Sequence, residues 1–248
     1  LEVYKMLVKL LSHTPDAEQQ IAKAAKLCYS ASSIDELCKK IDALEAGQFV
    51  KKLISMGHDS PLEHVSFSFG VEGISRVTSH QLVRHRLSSY SQQSQRYVNL
   101  ADTFDYIIPE SIQGNRPAYE EYIRLMEATH KIYKALLEVD IPAEDARYVL
   151  PNATETKIFI TMNARTLLHF FNKRCCNRAQ WEIRNMAFDM LLRVKEVAPL
   201  LFKGAGPGCV SGECGEGKMS CGKSKEVRAR YIALDESEVI GTQLDKTA

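Results

Sequence analysis

The sequence lacks a charge bias. Its 248 residues carry 32 lysines and arginines against 31 aspartates and glutamates, for a formal net charge of +1. A general nucleic-acid coat protein would show a basic excess, so this balance argues against that class. Positive charge for an anionic ligand must then come from arginines clustered locally. Long apolar runs are missing too. None approaches the roughly 20 residues that span a bilayer, and no signal-peptide pattern opens the chain. No membrane partner is expected, and the expected location is the cytoplasm. The chain starts at Leu1 rather than Met, so a few upstream residues are expected to be absent. The cysteines do not form an even set. Seven in a chain of this length suit reduced cytosolic thiols better than a disulfide framework. There is no internal repeat.

What is present suffices for a sizeable core, since 45% of the residues are hydrophobic and 25% charged. The length allows one large domain or two small ones. Residues 4–12 read as a strand, and 15–28 and 34–56 as helices, the second with Leu37, Ile41, Leu44 and Phe49 near helical spacing. Ser60-Pro61-Leu62-Glu63 has the form of a capping box with Pro at the first helical position. The alternation in VSFSFGV allows one turn there at most before a strand starts near Val65. Residues 74–86 read as helix and 87–108 as irregular with short strands. Helices follow at 117–138 and 142–149, a strand at 154–162, and helices at 164–174 and 180–202, the last with Ile183, Met186, Ala187, Met190, Leu191 and Val194 on one stripe. Without regular βαβ alternation, the expected class is α+β, a mixed sheet packed with helices. The composition turns rich in Gly and Cys after Lys203, so a single catalytic core over 1–203 and an extension over 204–248 are expected. Within the extension VRARYIAL reads as one short strand.

One stretch stands out chemically. On a helix over 74–86, Ile74, Val77, Gln81 and Arg84 would share a face, turning from apolar to polar along its length. A Gln and an Arg on a core-facing line are costly unless something bonds them. Cations decorating a helix C-terminus are the plainer account. After Leu87, however, Ser88 to Arg96 form an unbroken run of nine hydrogen-bonding residues. Such a run does not pack a core. It can present hydroxyls, amides and a guanidinium to a phosphorylated ligand.

Arg84-His85-Arg86, seven residues, then Ser94 with Gln95, Arg96 and Tyr97 resembles the signature of the flavin-dependent thymidylate synthase family. GHDSPLEH at 57–64, EDARYVLP at 144–151, TMNARTLLHFFNKR at 161–174 and AQWEIR at 179–184 resemble further elements of that family, in its order. The resemblance covers roughly residues 15–202. It implies conversion of dUMP to dTMP, with FAD as hydride carrier, methylenetetrahydrofolate as carbon donor and NADPH as reductant. It also implies a homotetramer with shared active sites, and no enzyme nucleophile. The protein would supply orientation, charge stabilisation and exclusion of water.

The resemblance assigns roles to residues. Arg84, His85 and Arg86 would contact FAD, with Ser60, Gln92, Asn163, Ala164, Arg165 and His169. Gln81, Leu82, Val83, Arg84, Gln92, Gln93, Ser94, Gln95, Arg96 and Arg147 would hold dUMP. Arg174 would sit against the uracil ring, favouring its polarised form, and His58 near flavin and folate. Ser91 stands where many members have Asn, Gln92 where many have Glu, and His169 where some have Asn. Serine and glutamine keep hydrogen-bonding capacity and drop a negative charge.

Other features carry less. Cys175 and Cys176 read as small packing residues. GAGPG at 204–208 follows a helix and contains Pro207, unlike a dinucleotide turn. His58 with His64, and His80 with His85, lack a third ligand. Cys209, Cys214 and Cys221 are spaced by four and six residues with no fourth ligand near in sequence, so no metal site is expected. Two alternatives stay open: a flavoprotein oxidoreductase without dUMP chemistry, and a non-catalytic nucleic-acid or nucleotide-binding module built on Arg84–Arg96. Balanced charge and few aromatics beyond Tyr90 and Tyr97 weigh against the latter.

Overall fold

A computed structural model describes residues 6–39 and 43–236. The class is α+β, as expected. Four strands, β1 (Leu7–His13), β2 (Ser66–Ser75), β3 (Ser88–Gln92) and β4 (Glu155–Asn163), form one sheet in the order β1-β2-β4-β3. Thr14 N–H bonds the Ser66 carbonyl, joining the end of β1 to the start of β2. Ala164 N–H to Val65 and Arg76 N–H to Thr154 join opposite ends of β2 and β4, so these neighbours are antiparallel. The helices are α1 (Ala17–Leu27), α2 (Ile34–Lys39), α3 (Ala43–Ser55), α4 (Arg76–Leu82), α5 (Glu110–Gln113), α6 (Arg116–Glu138), α7 (Ala143–Ala146), α8 (Ala164–Arg174), α9 (Trp181–Val197) and α10 (Ser224–Glu236).

The described residues fall into two compact units. One comprises 6–7, 70–84 and 90–159. Its main helix is α6, opened by the Asn115 side chain accepting from Ala118 N–H at 3.2 Å. Met126, Thr129 and Tyr133 line its buried stripe. Tyr122 Oη donates to the Ile107 carbonyl at 2.7 Å, tying the helix to the segment before it. In β2, Gly73 adopts φ +72°, a conformation other residues rarely take, and donates its N–H to the Glu155 carboxylate at 2.8 Å.

The other unit comprises 8–39, 43–69, 85–89 and 160–236. Its core is aromatic. Phe67 and Phe171 both meet Phe202 edge-on, with ring centroids 5.3 and 6.0 Å apart, and all three rings are fully buried. Ile183, Met186, Ala187, Met190, Leu191 and Val194 of α9 are buried, as their stripe foretold.

Several sequence expectations need correction. The reading of 34–56 as one helix becomes α2 and α3, with residues 40–42 outside the described residues. Residues 4 and 5 of the first expected strand also lie outside them. The supposed helix over 74–86 is only α4. Ile74 and Ser75 end β2, because the Ser75 hydroxyl caps α4 by accepting from Thr78 N–H at 3.2 Å. Arg84 lies beyond the helix, and Val77 is exposed, so the shared face does not exist. The capping box also fails: Asp59 holds the cap position of a 3-10 turn over Ser60–His64, without a side-chain bond, and Glu63 pairs elsewhere. VRARYIAL is not a strand but part of α10. Val227 and Tyr231, four residues apart, are both buried on it, which is helical spacing. The helix starting at 180 ends at Val197 rather than 202, although Leu201 and Phe202 remain buried.

Phe67→Ala should lower unfolding free energy by about 3–5 kcal/mol, because it opens a cavity among rings that cannot collapse freely. Urea titration followed by circular dichroism measures this; a loss under about 1 kcal/mol would show a yielding core.

Candidate active site

In the first unit the site residues follow α4 and β3. Gln81 and Leu82 end α4, and Val83 is its C-cap. The Leu82 side chain is fully buried, so only its backbone can serve a ligand. Its carbonyl accepts from Tyr90 Oη at 2.9 Å, which satisfies one of the helix's terminal acceptors. Arg84 follows, exposed. After β3 the chain turns tightly: Arg96 N–H bonds the Ser94 hydroxyl at 3.2 Å, and Val98 N–H the Ser94 carbonyl at 3.0 Å. Gln92 Nε2 donates to Thr156 Oγ1 at 3.0 Å, and Gln93 N–H to the Lys157 carbonyl at 2.9 Å. These bonds fix the polar run against β4.

Two further arginines converge there. A cavity of about 250 Å³ is lined by Arg76, His80, Gln95, Arg147 and Tyr148, among others. Burial, and secondarily the neighbouring Arg147 guanidinium, lowers the Arg76 pKa. Two guanidiniums that raise each other's energy suit an anion. The sequence reading missed Arg76, having set it inside a longer helix; the only signal was its place just after a β-to-α junction. Arg147 donates to the Glu144 carbonyl at 3.0 Å. Arg96 pairs with the Glu144 carboxylate at 2.9 Å, both side chains about half exposed.

In the second unit, α8 carries most of the expected residues. The Asn163 side chain caps it by accepting from Thr166 N–H at 2.8 Å. Ala164 is buried, its N–H bonded to Val65. Arg165 pairs with Glu63 at 2.5 Å on the 3-10 turn that also holds Ser60. His169 lies one turn on from Arg165, and its ring stands 6.1 Å from that of His85. His85 rests edge-on against Phe170 at 4.9 Å. Arg174 Nε donates to His85 Nε2 at 3.0 Å. Ser60, His58 and Arg86 are exposed.

This bond requires His85 to be neutral, with its proton on Nδ1. Its surroundings agree. Burial first, then Arg174, then His169 push the His85 pKa down to about 4. Cys175, by contrast, is a buried thiol. Burial raises its pKa to about 12, against an opposing hydrogen bond from Tyr231. Such a group supplies no thiolate at neutral pH. Among the described residues no helix is long and apolar enough to cross a membrane.

The comparisons with known proteins agree with this fold. The family model for thymidylate synthase complementing proteins matches residues 9–200. The flavin-dependent thymidylate synthase of Geobacter sulfurreducens is 55% identical, over 91% of this chain and 98% of that protein. That of Clostridium tetani is 52% identical, over 91% of this chain and 96% of its own length. A crystal structure of a UMP/dUMP methylase from Streptomyces cacaoi, bound with 5-Br dUMP, shares the fold, with a TM-score of 0.70 at 24% identity over 79% of this chain and 93% of that one. The chain is thus an α+β enzyme of the thymidylate-forming class. It belongs to the flavin-dependent thymidylate synthase family.

Because its folded pKa lies below the unfolded value, His85 favours folding fully above about pH 6.5, and that contribution fades as pH falls toward 4. Nitrogen-15 NMR of the imidazole should show a neutral ring protonated on Nδ1 down to about pH 5. The His85→Gln variant should lose less stability than wild type between pH 6.5 and 4. A ring titrating near 6.5 would contradict the assignment.

Proposed function

We propose that this enzyme methylates dUMP reductively to dTMP, using FAD, methylenetetrahydrofolate and NADPH, without an enzyme nucleophile. The observation that carries the reading is the bond from Arg174 to a neutral His85, in a chain of this family. When bound, the flavin would supply the hydride and the folate the one-carbon unit. The side chains present fit these ligands. At the start of α8, capped by Asn163, N–H groups and the helix dipole favour an anion, and Arg165 adds charge. Ser60, Arg84, His85, Arg86, Gln92, Ala164 and His169 would complete the flavin site. Gln81, Leu82, Val83, Gln93, Ser94, Gln95, Arg96 and Arg147 would hold dUMP.

The residues divide the work. Arg96 and Glu144 form an exposed pair, worth under about 1 kcal/mol, so a phosphate can compete for the guanidinium. Arg174 would stabilise negative charge on the uracil edge. It keeps its own proton at any working pH. His85 accepts from its Nε and so holds the guanidinium plane in one orientation. The buried thiol of Cys175 supports the nucleophile-free scheme. We further assign catalysis to residues 1–203, with 204–248 as an extension. The enzyme would act in the cytoplasm as a homotetramer with shared sites; the free described cysteines suit a reducing compartment.

The test is anaerobic turnover of dUMP with methylenetetrahydrofolate and NADPH, monitoring dTMP. A protein that binds flavin and makes no dTMP would be an oxidoreductase instead. Arg174→Lys keeps the charge and loses the planar fork, and should lower kcat at least about tenfold, or roughly 1.4 kcal/mol. Arg96→Ala should act mainly by raising KM for dUMP. Steady-state kinetics on both variants separates these effects, and an unchanged kcat in Arg174→Lys would move the activating role elsewhere.

Cys175→Ala and Cys176→Ala should still form dTMP. Loss of product in a variant that folds and binds both FAD and dUMP normally would overturn the nucleophile-free scheme.

A further inference from the structure

Three cysteines of the extension, Cys209, Cys214 and Cys221, lack a fourth metal ligand in their own stretch of sequence. The fold supplies a candidate. Cys176 follows the end of α8, and the next residue, Asn177, reaches Cys221 with its Nδ2 at 3.9 Å from Sγ. Gly208 packs on the same helix: a Cβ added there would stand 3.1 Å from Asn172 Nδ2. Cys209, next to Gly208 in the chain, is 8% exposed. All four are free thiols.

The loop holding them is braced. Arg228 donates from Nε to the Cys209 carbonyl at 3.0 Å and from Nη2 to the Gly212 carbonyl at 2.6 Å. Gly217 and Gly222 take left-handed conformations, with φ +49° and +74°, and reverse the chain on either side of Cys221. Cys214 accepts hydrogen bonds from the Ser220 hydroxyl and the Glu216 N–H, which places it beside the residue before Cys221. Hydrogen bonds to sulfur are the surroundings a ligating thiolate requires. Packing accounts for buried Cys175, but not for Cys176, Cys214 and Cys221, which are partly exposed.

We propose that Cys176, Cys209, Cys214 and Cys221 bind one thiophilic divalent cation of the Zn²⁺ class, joining the extension to the end of α8. Four thiolates satisfy the tetrahedral preference of that ion. Among the described residues no three such groups already stand at ligand spacing. Protonated thiols have no reason to close further. Binding displaces four thiol protons, and rotation about each Cα–Cβ bond brings the sulfurs onto the ion. The Arg228 guanidinium, already on the Cys209 and Gly212 carbonyls, offsets the resulting negative charge.

The full chain, expressed in zinc-supplemented medium, should retain about one zinc per chain through gel filtration, by atomic emission. Co²⁺ in its place should give thiolate charge-transfer bands and intense tetrahedral bands. Cys209→Ser and Cys221→Ser should retain at least about tenfold less metal, while Cys28→Ser keeps it. Should a serine variant precipitate, wild type decides: chelation should release about four fast-reacting thiols. Metal below about a tenth of an equivalent overturns the proposal. So do cysteine variants that hold metal like wild type, an unchanged thiol count on chelation, or a disulfide between any two of the four. None of these measurements depends on dTMP formation.

Discussion

Where a strand passes into a helix without a loop, the first helical N–H groups have no partner of their own, and the strand's last side chain must reach forward to them. This constraint is met twice here. Ser75 ends β2 and caps α4; Asn163 ends β4 and caps α8. In each case the cap fixes where the helix begins, and so which residues fall at its far end. For α4 those are Gln81 to Arg84; for α8, Arg174. The strands are held by sheet bonds and buried side chains, and the residues at the helix ends inherit that rigidity. A site on helix ends set directly by strands is more sharply placed than one on free loops.

A near-neutral protein can still build locally cationic ground where its arginines are brought together. Arg76 and Arg147 oppose each other electrostatically. Arg174 donates to the His85 imidazole, which orients its guanidinium. A carboxylate in place of His85 would draw the guanidinium into an ion pair. Burial first, then Arg174 and His169, lower the His85 pKa, so the ring stays neutral beside the guanidinium.

Much of this was legible in the sequence, but unevenly. The α9 stripe followed from apolar periodicity, which burial enforces. The arginine-rich signature pointed to the right family. The helix through Arg84 was misread because Ile74, Val77 and Gln81 mimic helical spacing, while the cap at Ser75 and the pairing of Arg76 N–H with Thr154 decide the boundary. Pairing of that kind joins residues far apart in the chain. Arg76 and the His85–Arg174 bond were invisible for the same reason. Tyr90 shows the converse: a position the signature leaves open is held in this chain, because its hydroxyl closes the end of α4.

The extension is less detachable than its composition suggests. Lys195, on α9, is 3% exposed, and its ammonium donates to the Phe202 carbonyl and pairs with Asp235 of α10. Asp235 also accepts from Gly204 N–H at 2.8 Å. A protease or a stop codon acting before Asp235 would leave a buried cation without its counter-charge, a penalty on the order of 3–5 kcal/mol. Such a cut would therefore be felt in the last turn of α9, as loss of the folded protein rather than of a tail. The C-terminal boundary of a stable fragment lies beyond the last turn of α10.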